Sequence, residues 1–217
     1  MEIGMIKRSN RFDILQTLQE NPEWNVVDLG SGENGSCEHA STFVDLNDWD
    51  QKPEDKELII HDLNNLPLPF EDKQFDFCWA SHILEHVRDP ISFIKEMIRI
   101  SDRGYIEVPT PLIDNLVSGD DIHDPNGHKW WVYYDDSNEK IIVRPRRNLV
   151  HKTVDIPELN SLYPFFRSSF VVELYWENDI NIEMGDEIYS YEGKVYDLSK
   201  EVPPINILGA SRLRVQS

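Results

Sequence analysis

The sequence predicts an α/β fold: a mostly parallel sheet with helices on both faces and a C-terminal antiparallel hairpin. Three observations carry that expectation. Short apolar runs recur between residues 24 and 108, separated by helical patterns or short connections. The first run ends in a glycine-rich loop. The next two each end in an aspartate. Residues 1–217 read as one domain, at roughly 100–200 residues per domain, with an insertion at about 110–165 that would form the acceptor side of a site.

Within residues 8–20, Phe12, Ile14, Leu15 and Leu18 stand near helical spacing before the breaker Asn21-Pro22, which predicts an amphipathic helix. Strands follow at Trp24–Leu29, Thr42–Leu46 and Glu57–Asp62. Pro67-Leu68-Pro69-Phe70 is a stiff loop, and Phe75–Ala80 reads as a buried strand. Pro90 suits the first turn of a helix whose apolar face is Phe93, Ile94, Met97 and Ile98. Gly104 opens the strand Tyr105–Val108. Beyond residue 110 the pattern loosens into a polar turn at Asp120–Gly127, an aromatic cluster at Trp130–Tyr134 and a strand at Ile141–Val143. Phe170–Tyr175 and Ile180–Met184 look like two antiparallel strands, and the tail from Val202 has no clear pattern.

Composition narrows the function. The formal net charge is −19, from 21 Lys+Arg against 40 Asp+Glu. That balance opposes binding to nucleic acid or to an anionic membrane, both of which must be met by positive charge. Two cysteines, Cys37 and Cys78, exclude a disulfide scaffold. No apolar run approaches the roughly 18–20 residues that span a bilayer. Met1–Asn10 lacks the apolar stretch of a signal peptide, so a soluble, cytoplasmic protein is expected.

The strand ending in Asp28-Leu29 is followed by Gly30-Ser31-Gly32-Glu33-Asn34-Gly35, a G-x-G-x-x-G loop. Its glycines let the backbone turn sharply and come close to a ligand. Asp45 and Asp62 end the next two strands, so both carboxylates sit at the carboxyl edge of a parallel sheet, where such sheets bind ligands. Asp45 suits a ribose diol, and Asp62 an adenine amino group. Only Ser36–Ser41 separate the loop from the next strand, room for about one turn of helix. A dinucleotide wants a longer helix for its pyrophosphate. Glu33 and Glu38 add negative charge there as well, which favours the sulfonium of S-adenosylmethionine over NAD.

At this point the chain resembles the class I S-adenosylmethionine-dependent methyltransferases, which are Rossmann-like, and particularly their small type 11-like members. The resemblance covers about residues 24–110. It rests on Val26–Gly32, Val44-Asp45-Leu46, His61-Asp62-Leu63, Leu66–Phe70, Phe75-Asp76-Phe77, Ser81–Val87 and Arg103–Pro109. It implies that Asp28, Gly30 and Gly32 line the methionine part of the cofactor, that Asp45 holds the ribose, that Asp62 and Leu63 hold the adenine, and that Ser81 sits beside the methyl-transfer cleft. The very short first crossover departs from the family pattern.

His82-Ile83-Leu84-Glu85-His86 is also a literal H-x-x-E-H, the inverted zinc-protease motif. On a helix, His82 and His86 would share a face as two metal ligands do. Some small-RNA 2′-O-methyltransferases carry a similar Glu-x-x-Glu-His and a downstream histidine that bind a divalent metal. By that likeness a metal would be held by His82, Glu85, His86 and His128, although a metal-free site is favoured here.

The expected function is therefore methyl transfer from S-adenosylmethionine to a small-molecule or glycan acceptor, with His82, His86 and His128 as candidate bases because imidazole titrates near neutrality. Two rival readings are a metal-dependent hydrolase using the H-x-x-E-H cluster and a cofactor-binding module without turnover. An NAD oxidoreductase is a further one. Trp130, Trp131, Tyr133 and Tyr134 are read as packing or as a substrate wall, and Arg144, Arg146, Arg147 and Lys152 as a solvated face or an anion site. Oligomeric state is not legible.

Overall fold

Every residue of Val26–Leu29 and Phe77–Ser81 is buried, as central strands of a parallel sheet must be, because both their faces are covered. They are β2 and β5 of the computed structural model, which describes residues 4–32, 37–48, 56–116, 127–146 and 162–185. The main sheet also contains β1 (Met5–Arg8), β3 (Thr42–Asp45), β4 (Glu57–Ile60), β6 (Arg103–Pro109) and β9 (Val171–Glu177). Its order is β1-β9-β6-β5-β2-β3-β4. Strands β2 to β6 are mutually parallel, and β9 lies antiparallel between β6 and β1. From β2 the chain moves through β3 and β4 to one edge, then returns to β5 and continues to β6 on the other side. This reversal opens a crevice at the carboxyl ends of β2 and β5.

Strand alternation divides the core between the two faces. Val27, Leu29, Cys78, Ala80, Ile106 and Val108 pack with Phe93, Ile94, Met97 and Ile100 of helix α2 (Pro90–Ile100). Val26, Phe77, Trp79 and Tyr105 pack instead with Ile14 and Leu18 of helix α1 (Arg11–Glu20). Helices cover both faces, as expected. Each begins at a side-chain cap: Asn10 accepts from the Asp13 N–H, and Asp89, just before Pro90, from that of Ser92.

A second sheet of three strands joins β7 (Trp130–Asp135), β8 (Lys140–Pro145) and β10 (Ile182–Met184). Val132, Tyr134, Ile141 and Val143 bring it onto the α2 side of the core. The aromatic cluster is thus largely packing: Trp131 and Tyr134 are buried, the Tyr134 hydroxyl donates to the Ile6 carbonyl, and the Trp130 indole to that of Val87. Two short helices, α3 (Pro111–Leu116) and α4 (Arg167–Phe170), lie beside the ends of β6 and β9.

The structure departs from the sequence reading in two places. The first helix starts at Arg11, because Met5–Arg8 pairs with β9 as an edge strand. The two C-terminal strands do not form a hairpin: β6 and β1 occupy both edges of β9, and β10 pairs in parallel with β8. With both ladders of β9 filled, no edge remains for β10. Residues 37–41, the described part of the short first crossover, contain a turn, in keeping with the little room expected there. Glu33–Ser36, most of the polar turn at 120–127, Arg147, Lys152 and the tail from Val202 lie outside the described residues. Among the described residues no helix is long and apolar enough to cross a membrane.

Candidate functional site

Gly30 and Gly32 leave β2 with φ of 72° and 64°, left-handed values that only glycine adopts cheaply. The Gly30 N–H donates to the Val44 carbonyl at 2.8 Å, tying the loop to β3. Ile83 lies so close that a Cβ on Gly30 would stand 2.5 Å from its Cδ1. We therefore expect Gly30→Ala to lose about 1–3 kcal/mol from strain and overpacking together, read as a lower midpoint in urea unfolding. An unchanged midpoint would contradict this account of the loop.

Asp45, at the end of β3, serves the same loop. Its Oδ2 accepts from the Gly32 N–H at 2.9 Å and its Oδ1 from the Asn47 N–H at 3.0 Å. Beyond β4, Asp62 accepts from the backbone and side-chain amides of Asn64, both at 2.9 Å. The backbone hydrogen bond is the main cause holding its carboxyl below the ordinary range. Gly30, Gly32, Asp45, Asp62 and Leu63 all line one cleft of about 280 Å³ at the switch point. Ile83, His86 and Lys129 form part of its other wall.

Two of the expected cofactor residues stand elsewhere. Asp28 is fully buried, and its Oδ2 accepts from the Cys37 N–H at 2.8 Å, bracing the return of the glycine loop. Ser81 is buried on the α1 side of β5, with its Oγ 3.4 Å from the Arg11 guanidinium. Neither is among the residues lining the cleft.

The H-x-x-E-H segment is not a helix. Residues 82–88 form turns, the His86 N–H donates to the Ile83 carbonyl, and His82 has a φ of 56°. The expected sharing of one helical face by His82 and His86 is therefore overturned. His82 turns toward β6, where its Nε2 lies 3.1 Å from Glu107 Oε1 and its Nδ1 3.4 Å from Glu85 Oε1. Burial opposes the charge of this imidazole, but the hydrogen bond to Glu107 and the neighbouring Glu85 outweigh it and push its pKa up to about 9. The two carboxylates thus favour the protonated form of His82, which works against its expected role as a general base. His86 and His128 meet edge to face, ring centroids 4.6 Å apart. Glu85, His86 and His128 place one potential ligand atom each within 4.8 Å of one another.

Sequence reasoning missed the charge cluster behind His82. Glu107 on β6 and Glu173 on β9 face each other across the antiparallel ladder. The Tyr105 hydroxyl contacts both, at 2.6 and 2.7 Å. Arg167 closes the cluster, 2.5 Å from Glu107 and 3.1 Å from Glu173, and Arg11 lies 3.5 Å from Glu107. Burial alone would raise the Glu107 carboxyl; His82, Tyr105 and Arg167 reverse this and hold its pKa at about 2. Lys129 was missed too. It reaches the cleft because its own N–H donates to the Glu85 carbonyl, and its ammonium donates to that of His86 at 2.7 Å.

A parallel sheet with a glycine loop and two strand-end carboxylates around one crevice is the arrangement in which open α/β folds bind ligands. Residues 27–106 match the family model described as a methyltransferase domain. Over that span the chain is similar to the class I S-adenosylmethionine-dependent methyltransferases. It is 30% identical over 142 residues to the chloroplastic tocopherol O-methyltransferase of Arabidopsis thaliana, a match covering 57% of this chain and 41% of that protein. It is 29% identical over 117 residues to norajmaline N-methyltransferase of Rauvolfia serpentina, covering 46% and 40%. The chain thus spans less than half the length of these relatives. Among solved structures, an S-adenosylmethionine-dependent methyltransferase from Mesorhizobium loti is 19% identical with a TM-score of 0.38, covering 73% of this chain and 72% of that one. A 1,6-didemethyltoxoflavin-N1-methyltransferase from Burkholderia thailandensis is 14% identical with a TM-score of 0.37, covering 77% of each. The fold assignment rests on the strand order itself.

Proposed function

We propose that this protein transfers a methyl group from S-adenosylmethionine to an oxygen, nitrogen or carbon atom of a small-molecule or glycan acceptor. The observation that carries this reading is the convergence of Gly30, Gly32, Asp45, Asp62 and Leu63 on one cleft at the switch point. In it, the Gly30–Gly32 backbone approaches the methionine part, Asp45 takes the ribose diol, and Asp62 with Leu63 takes the adenine. Asp28 acts as a brace. The acceptor side is the segment of about 110–165, which brings Lys129 to the cleft wall.

The sulfonium is already a strong electrophile, so the rate depends mainly on holding the acceptor atom in line with the methyl at about 3 Å. The acceptor lone pair forms the new bond to carbon while the sulfur–methyl bond breaks toward sulfur. Where the acceptor carries a proton, His86 and His128 are the candidates to receive it, and His82, in its favoured protonated form, is a positioning group. The net charge of −19 disfavours RNA as acceptor.

Labelled S-adenosylmethionine offered with phenols, amines, glycans and, separately, RNA tests the acceptor class. Label transfer to a small molecule or glycan, and not to RNA, is the expected result. Transfer to RNA alone would overturn the acceptor class. Cofactor binding without transfer to any acceptor would favour a binding module instead, a reading motivated by the short crossover between β2 and β3.

A further inference from the structure

Among the described residues that line the cleft, Lys129 is the one lysine or arginine, and it shares that lining with Asp45 and Asp62. The chain as a whole has 40 Asp+Glu against 21 Lys+Arg, so composition alone does not lead one to expect a cation there. Its position is fixed twice. The backbone N–H donates to the Glu85 carbonyl and the ammonium to the His86 carbonyl, both at 2.7 Å. An ammonium carries three donors, so its hold on one carbonyl does not exhaust it.

The antiparallel register brings a second cation to the same place. Trp130 pairs with Pro145, and one step further the Arg146 N–H donates to the Lys129 carbonyl at 2.8 Å. Lys129 and Arg146 therefore stand directly opposite each other at the open end of β7 and β8, on one face of the ladder. Both reach toward the segments that carry the histidines, with the Arg146 Nη1 3.5 Å from the His128 carbonyl. Arg144 serves differently: its guanidinium lies over the Tyr133 ring, 5.6 Å from the centroid. Like charges directly opposite each other weaken a ladder rather than support it. Hairpin stability thus gives no reason for this pair, whereas an anion seated between two cations at the cleft does.

We propose that Lys129 and Arg146 form an anion subsite for the acceptor, so that the methylated molecule carries a carboxylate or phosphate group close to its reacting atom. This acceptor class rests on the methyltransferase reading above. A guanidinium fork and an ammonium meet an oxyanion with charge-assisted hydrogen bonds, two of them from the fork. Seating that group fixes how the rest of the acceptor is presented to the methyl. Asp45 and Asp62 repel an anion from other parts of the cleft, which narrows where it can sit. Two cations fit one oxyanion of a small molecule or an acidic sugar. A nucleic acid needs cations spread along its backbone, which a net charge of −19 does not offer. The cofactor brings one anion of its own, the carboxylate of its methionine part. In the proposed site that part lies against Gly30 and Gly32, whereas both cations come from the acceptor segment.

The test uses the full chain, with and without saturating S-adenosylhomocysteine, and four probes read by saturation-transfer NMR and calorimetry. Benzoate and phenyl phosphate are the anions, and benzamide and phenol are their uncharged counterparts. At least one anion should bind about tenfold or more tightly than its counterpart, and added salt should weaken the anion alone. A preference confined to benzoate assigns a carboxylate acceptor, and one confined to phenyl phosphate a phosphate acceptor. Lys129→Met and Arg146→Met should each remove most of the preference while S-adenosylhomocysteine affinity is kept. Lys95→Met, at an exposed position on α2, should leave the preference intact. If Lys129→Met fails to fold for want of its bond to the His86 carbonyl, Arg146→Met and the salt series decide. Equal binding of anions and counterparts, or a preference that survives both substitutions, overturns the proposal. So does S-adenosylhomocysteine affinity that falls in Lys129→Met while the preference stays, because the cation then serves the cofactor's carboxylate. An anion preference in a folded protein that does not bind S-adenosylhomocysteine would sustain the subsite and reject the methyltransferase reading.

Discussion

Replacing Asp45 with alanine should weaken S-adenosylhomocysteine binding by about a hundredfold. The carboxylate has two tasks. In the proposed cofactor site it would offer the ribose diol charge-assisted hydrogen bonds of about 1.5–3 kcal/mol each, and it already holds the glycine loop through the Gly32 N–H at 2.9 Å. Losing about 3 kcal/mol of that set corresponds to roughly two orders of magnitude in affinity. Asp45→Asn should fall between, because an amide keeps one acceptor oxygen but loses the charge. Calorimetry on the three proteins reads the series directly. Wild-type affinity in Asp45→Ala would remove Asp45 from the cofactor site.

The second large effect is on stability. Glu107 is 2% exposed and faces Arg167, Tyr105, His82 and Arg11. Glu107→Ala leaves two or three part-buried cations without their common partner, and breaking a buried pair in this way costs about 3–5 kcal/mol. The acid limb of the stability profile gives an independent reading. The Glu107 pKa is depressed from 4.5 to about 2, so its contribution is complete above pH 4.5 and is lost as the pH falls through 2. The shift corresponds to about 3 kcal/mol. Glu107→Gln should therefore be destabilised at pH 7 and show a flatter decline between pH 4.5 and 2 than the wild type. Parallel profiles in urea unfolding would show that another group carries the acid sensitivity.

The gathering of Gly30, Gly32, Asp45 and Asp62 at one cleft was legible in the sequence because it is local. Gly30 and Gly32 follow a strand directly, and Asp45 and Asp62 lie at or just past strand ends, so their spacing alone brings them to one sheet edge. The expected helix at α2 held for the same reason, with Pro90 and Asp89 at its start and one apolar face. The histidine segment was ambiguous, since H-x-x-E-H fits a helix and a turn equally well. Pairing of Ser81 with Glu107 across β5 and β6 settles it, because it puts His82 next to a carboxylate. The cluster of Arg11, Glu107, Arg167 and Glu173 could not be read, since it joins four separate elements. β1 is only four residues long, and its identity depends on β9, far along the chain. The two C-terminal strands each had a strand pattern, but periodicity does not say which edge a strand will find.

Calorimetric titration of the purified chain with S-adenosylhomocysteine, with NAD as control, tests the central claim most directly. The cleft at the ends of β2, β3 and β5 should bind the first with one site per chain and micromolar affinity, and give no heat with the second. A folded protein that ignores S-adenosylhomocysteine, or that prefers NAD, would contradict the assignment of Gly30, Gly32, Asp45 and Asp62 to this cofactor.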